Sequence, residues 1–115
     1  MSAEVEVRPV RYNTVAASVT AQKLIGAVDA NVRGTGTGSV NDILESLLII
    51  PGTAAAGAVT ILDGSTSISV FAGGGTTALP TLAPFTVMLG VRSQNGAWAV
   101  TTGANVTVIA NGHFT

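Results

Sequence analysis

The stretch GVRSQNGAWAVTTGANVTVIANG, residues 90–112, holds the single tryptophan of the chain, Trp98, and two Asn-Gly pairs. Asn95-Gly96 suits a type I′ turn, whose two central residues both take positive φ and which commonly joins two paired strands. Folding at that point sets Gln94 opposite Ala97, Ser93 opposite Trp98, Arg92 opposite Ala99 and Val91 opposite Val100. One face then carries Leu89, Val91, Trp98 and Val100, and the other carries Gly90, Arg92, Ala99 and Thr101. Strand side chains alternate, so a slip of one residue would mix the two sets. The stretch therefore predicts a hairpin with one buried face, with Trp98 in the core.

A second segment, GAVTILDGSTSISVF at residues 57–71, has the same form. Asp63-Gly64 is a hairpin signal, and pairing outward from it puts Leu62 opposite Ser65, Ile61 opposite Thr66 and Val59 opposite Ile68. The faces become Val59, Ile61, Ile68 and Val70 on one side, and Thr60, Ser65, Ser67 and Ser69 on the other. That is a half-buried antiparallel hairpin with a hydroxyl-rich outer face.

Outward from these, PFTVMLGV leads into the first stretch and NVTVIANGHF supplies a final strand. AGGGTTALPTLA, residues 72–83, is long enough to cross from one sheet to another. Residues 43–50 predict a strand ended by Pro51-Gly52, with a helical turn over residues 41–44 as its competitor. Residues 12–20 and 23–29 give one or two strands, and AASVTAQKLIGA is the one place where a short helix competes. GTGTGS at residues 34–39 is a loop. Residues 1–11 read as an extended arm, because Pro9 interrupts the alternation of Val5, Val7 and Val10 and suits an edge or a free segment. Turn signals every 8 to 12 residues in the later two-thirds predict an all-β fold. The expected architecture is a compact antiparallel β-sandwich, jelly-roll-like, with seven to eight strands. It forms one domain over residues 12–115, preceded by the arm.

Composition bounds the function. Of 115 residues, 47% are hydrophobic and only 10% charged, with a mean hydropathy of +0.54. A soluble domain is ordinarily about one-quarter charged. A chain this poor in charge is expected to cover much of its surface with copies of itself or with a partner. The net charge is −1, and the basic residues Arg8, Arg11, Lys23, Arg33 and Arg92 are scattered. They form no track for a phosphate backbone, so nucleic acid is not an expected partner. The longest apolar run, residues 47–62, is broken by Pro51-Gly52 and Gly57 and is too short to span a bilayer as a helix. The start lacks an apolar signal-peptide core, which predicts synthesis in the cytoplasm of the producing cell.

Chemistry-bearing residues are few. There is no cysteine, and His113 is the only histidine. A metal site would need His113 from several copies, and a catalytic triad would need it two positions from the last residue. The acids are Glu4, Glu6, Asp29, Asp42, Glu45 and Asp63. Asp63 reads as a turn residue, Asp42 as the cap of a local turn, and Asp29 with Asn31 does not continue into a calcium loop. The glycine clusters at residues 34–38 and 73–75 lack the Lys-Ser/Thr of a phosphate loop. Asn105-Val106-Thr107 matches a glycosylation sequon but reads as a strand entry. No catalytic, cofactor-binding or metal-binding residue is assigned, and no enzyme activity is expected.

The order of PGT, a DG hairpin, a Gly-rich loop, a PF strand, NG-x-W and TGANV, over residues 43–115, resembles the decoration or cement proteins of tailed-phage heads. The resemblance implies a structural virion protein on the outer capsid surface. It would stabilise the shell by binding major capsid protein as a homo-oligomer, often a trimer, without cofactor or catalytic set. A carbohydrate- or receptor-binding sandwich of a phage spike or fibre is the alternative. It needs exposed aromatics for sugar rings to stack on.

Overall fold

β-branched residues at alternate positions favour the pleated, half-buried surface of a sheet, and every element among the described residues is a strand. The computed structural model describes residues 11–26, 36–52, 55–74 and 83–115. In chain order the strands are β1 (Arg11–Val15), β2 (Gln22–Lys23), β3 (Ile43–Pro51), β4 (Val59–Asp63), β5 (Thr66–Phe71), β6 (Phe85–Arg92), β7 (Trp98–Thr102) and β8 (Val106–His113). They form two four-stranded sheets, ordered β1-β8-β3-β6 and β2-β7-β4-β5, with every pairing antiparallel. β1 pairs with β8, β2 with β7, β3 with β6 and β4 with β5. The chain thus behaves as one long hairpin, doubled at the β4–β5 turn and rolled so that successive pairs fall in alternate sheets. This is the strand order of a jelly roll, an arrangement of two packed antiparallel sheets. The expected β-sandwich is the fold.

The core lies between the sheets. Leu44, Leu47 and Ile49 of β3 and Val106, Val108 and Ala110 of β8 face Val59, Ile61, Trp98 and Val100 of the other sheet. Val15, Leu24 and Phe114 close the ends of this cluster. Each large aliphatic side chain taken from water contributes about 1.5–3 kcal/mol. Leu44 and Leu47 lie three residues apart yet both point inward, because the register shifts between Leu44 and Ser46. Opposite β8, Glu45 is the extra residue of a β-bulge, and bulges re-aim the side chains that follow.

The loops at each end clasp one another. At one end the backbone N–H groups of Gly52 and Gly57 donate to the carbonyls of Asn105 and Ala104, and Gly103 N–H donates to Ala58. Gly57 and Gly103 sit backbone to backbone there: a Cβ on either would lie within 2.8 Å of the other's Cα. The PGT and TGANV motifs are therefore neighbours and serve the same clasp. At the opposite end Gly64 N–H donates to the Ala97 carbonyl, which brings the two hairpin-signal loops together.

Two registers need correction. Asn95-Gly96 does not close a hairpin: β6 pairs with β3 and β7 with β4, in different sheets. Asn95 is not among the non-glycine residues of positive φ, so the type I′ geometry is absent. The connection is an arch from one sheet to the other. Its backbone donors are met by the Asp63 carboxylate, which accepts from Gln94 N–H at 2.9 Å and Asn95 N–H at 2.8 Å. The alternation misleads because the inward residues of β6 and β7 reach the same core from opposite sides. Asp63-Gly64 does mark a hairpin, but its loop is Gly64-Ser65. Asp63 faces Thr66, Leu62 faces Ser67 and Ile61 faces Ile68, with a register shift between Val59 and Thr60. Gly64 alone has positive φ, at 64°, the pattern of a type II′ turn with glycine in the first central position. Asp63 is thereby freed from the turn to serve the arch.

Elsewhere the reading is closer. The crossing expected of residues 72–83 is seen, since β5 and β6 lie in different sheets. Asn105 takes a φ of 61° and delivers Val106 into β8. The predicted strand at residues 12–20 shortens to β1; of the one at residues 23–29, only residues 23–26 are described and only Lys23 is in a strand, β2, and no short helix forms among the described residues between them. Ser18 and Ala21 adopt positive φ, and the turn is tied to β7 through Val19 N–H and the Thr102 hydroxyl at 3.0 Å. The helical turn competing at residues 41–44 is absent: Asn41 has a φ of 77° and β3 begins at Ile43. The arm of residues 1–11 is described only at Arg11, which opens β1. Residues 1–10, with Glu4, Glu6 and Arg8, and residues 27–35, with Asp29, Asn31 and Arg33, lie outside the described residues.

Candidate functional site

The two flanks of the sandwich are unlike. Where β1 and β2 form the edges, side chains bridge the sheets. Asn13 Nδ2 donates to the Ile25 carbonyl at 3.1 Å, Ile25 N–H donates to Asn13 Oδ1 at 3.3 Å, and Gln22 Nε2 donates to the Thr14 carbonyl at 3.2 Å. Where β5 and β6 form the edges, no such bridge occurs among the described residues, and the inward rows of both strands reach solvent. Ile68 is 43% exposed, Phe85 38% and Val91 42%. Phe71 and Phe85 span the opening edge to face, with ring centroids 5.3 Å apart. Val70, Val87 and Leu89 lie partly buried behind them. Arg92 is the only charged residue of β5 and β6, and its guanidinium donates to the Asn41 carbonyl at 3.2 Å.

A strand at a sheet edge presents unpaired backbone groups, and natural proteins blunt such edges with charge, proline, bulges or covering chain. β6 has such devices only at its end, where Gly90 takes a φ of 67° within the register shift and Arg92 carries a charge. The four residues Phe85 to Met88 run regularly, Phe85 facing Ile49 and Met88 facing Ser46. β6 is also apolar on both faces, since Val87, Met88 and Leu89 follow one another and Met88 is 76% exposed on the outer side. That unbroken run was the available signal that the solvated face of β6 is not uniformly polar; hairpin pairing with residues 97–100 obscured it by assigning Val91 to a buried row.

The outer face of the β1-β8-β3-β6 sheet continues this character. Register places Tyr12 beside Asn111, Ile109 beside Leu48, and Ser46 beside Met88. Tyr12 is 70% exposed, and Ile109 and Leu48 are half-buried. At one end of the face His113 Nε2 lies 3.2 Å from Glu45 Oε2, both partly exposed beside the bulge.

Of the acids named from sequence, Asp42 and Asp63 have structural tasks among the described residues. Asp42 is buried. Its Oδ2 accepts from Ser39 N–H at 3.0 Å and from Thr115 N–H and hydroxyl at 3.1 Å each, and its carbonyl accepts from Trp98 Nε1 at 2.9 Å. It caps the local turn, as expected, and also anchors residue 115. Among the described residues, no group of three or more His, Cys, Asp or Glu could hold a metal ion, and no helix is long and apolar enough to cross a membrane. What the arrangement offers is contact: an apolar flank, a strand edge without a further strand among the described residues, and an outer sheet face with little charge. Comparison with protein-family models, curated proteins and solved structures finds no match for this chain.

Proposed function

We propose that the protein is a structural component of a tailed-phage head, bound to the outer surface of the capsid through major capsid protein and assembled as a homo-oligomer, a trimer. The observation that carries this reading is the open β5–β6 flank on a chain with only 10% charged residues. Exposed apolar area of that kind favours association over solvation. The run of motifs from PGT to TGANV, which resembles head-decoration proteins, supplies the kind of partner. Most of those motifs form the loops that hold the sandwich, and the PF strand is β6, whose Phe85 lies at the open flank. The carbohydrate-binding alternative loses its best aromatic, since Trp98 is 2% exposed and committed to Asp42.

The test joins light scattering after size exclusion to co-sedimentation with undecorated phage heads assembled from major capsid protein alone. The reading expects a stable trimer that pellets with the heads at saturating stoichiometry. A monomer that stays in the supernatant would sink it.

A further inference from the structure

We infer that the β6 edge takes as its added strand residues 3–8 of a second copy of this chain, and that Val5 and Val7 of that copy fill the opening between β5 and β6. The inference rests on the homo-oligomer of the proposed function and names its contact.

The acceptor has three properties that specify its occupant. β6 is the edge of its sheet, and among the described residues only β3 pairs with it, which suits strand addition, a mode that draws affinity from main-chain hydrogen bonds and specificity from alternate side chains. Its inward row is apolar and partly exposed at Phe85 and Val91, so the added strand needs apolar residues on one face. Its single charge is the cation Arg92, so acids are tolerated on the other face. The segment Ala3-Glu4-Val5-Glu6-Val7-Arg8 meets all three: valines alternate with charged residues, and two of those three are acidic. Pro9, which cannot donate to a ladder, follows immediately and separates this segment from β1.

Geometry decides that the donor is another molecule. β1 and β6 are the opposite edges of one four-stranded sheet, so a strand added beyond β6 lies four spacings from β1, about 19 Å. Between Arg8 and Arg11 the chain spans at most roughly 11 Å. A segment laid on β6 through residue 8 therefore cannot continue into β1 of its own chain. With donor at one edge and acceptor at the other, the contact is head to tail. Such contacts close into rings where the rotation permits and extend as filaments where it does not; a three-membered ring fills every β6 edge.

The chain has no cysteine, so introduced thiols report without background. The Val5→Cys/Val87→Cys variant, oxidised mildly, should run on non-reducing gels as covalent dimers and higher ladders, and each single variant should run predominantly as monomer. The Val5→Lys/Val7→Lys variant should elute as monomer, with Trp98 emission unchanged to show an intact fold. Disulfides formed only within one chain, or a double-lysine variant that stays oligomeric, would overturn the inference. Head binding separates the two claims. Wild-type protein that pellets with heads as a monomer refutes the arm exchange and the homo-oligomer and leaves only the capsid attachment standing. An arm-dependent oligomer that ignores heads does the reverse.

Discussion

Asp42 concentrates more of the hydrogen bonding than any other acid described. Its carboxylate holds Ser39 and Thr115, and its carbonyl holds the indole of Trp98. Removing the carboxylate strips the partly buried hydrogen bonds from the Ser39 and Thr115 N–H groups of their acceptor, at a cost toward the lower end of about 1–3 kcal/mol for each. Asp42→Ala should therefore lower stability by about 3 kcal/mol, read from the midpoint of urea denaturation; a loss below about 0.5 kcal/mol would mean that water replaces the carboxylate without penalty. Gly64 is constrained in a different way. Its φ of 64° suits glycine, and an added Cβ would lie 2.5 Å from the Asn95 carbonyl oxygen. Left-handed backbone alone costs an ordinary residue about 1–2 kcal/mol. Gly64→Ala should exceed that, because the arch must also move, and the same denaturation series would show it.

At the scale of strands, β3 and β6 are neighbours in one sheet with opposite exposure. Leu47 of β3 is fully buried between the sheets, whereas Phe85 of β6 is partly open to solvent. Core Leu→Ala changes cost about 2–5 kcal/mol, with the cavity term adding to lost transfer energy. Leu47→Ala should fall in that range, and Phe85→Ala should cost less than half as much in the isolated protein despite its larger side chain. Equal losses would show that the flank is closed in solution. The arch between β6 and β7 also belongs to this scale. Asn-Gly supplies a reversal of the chain, and whether the reversal stays in one sheet depends on which partners the flanking strands find. Here β3 and β4 take them, and Asp63 meets the donors left over.

Across the whole molecule, the jelly-roll order brings the first strand against the last. Asn13 faces Ala110 and Tyr12 faces Asn111, while Phe114 is buried in the core and the Thr115 main-chain oxygen accepts from Gly26 and Gly38. Deleting residues 112–115 removes an aromatic worth about 3–5 kcal/mol together with the Asp42 clamp. Total stability of a domain this size is about 5–15 kcal/mol, so the truncated chain should lose its cooperative thermal transition in circular dichroism. Retention of a sharp transition would place the stability centre away from the β1–β8 seam. The open flank lies remote from that seam, on the opposite edge of the same sheet, which leaves it available for contact at little cost to the fold.

Alternation of β-branched residues, the Asp63-Gly64 and Asn95-Gly96 signals, and the sparse charge are properties of local chemistry, and they were enough to read an antiparallel sandwich with Trp98 in its core. The faces of β4, β7 and β8 follow from the same periodicity. Pairing does not. A period of two tells which side chains point inward, but an arch and a hairpin put the same side chains into the same core, so residues 90–100 are consistent with either. The displaced turn at Gly64-Ser65 arises because Asp63 is needed by a loop about thirty residues away, a demand that no local propensity carries. The open β5–β6 flank is hidden for the same reason: an edge exists only once every strand has chosen its neighbours, and that choice is made by the competition of all eight strands for backbone partners.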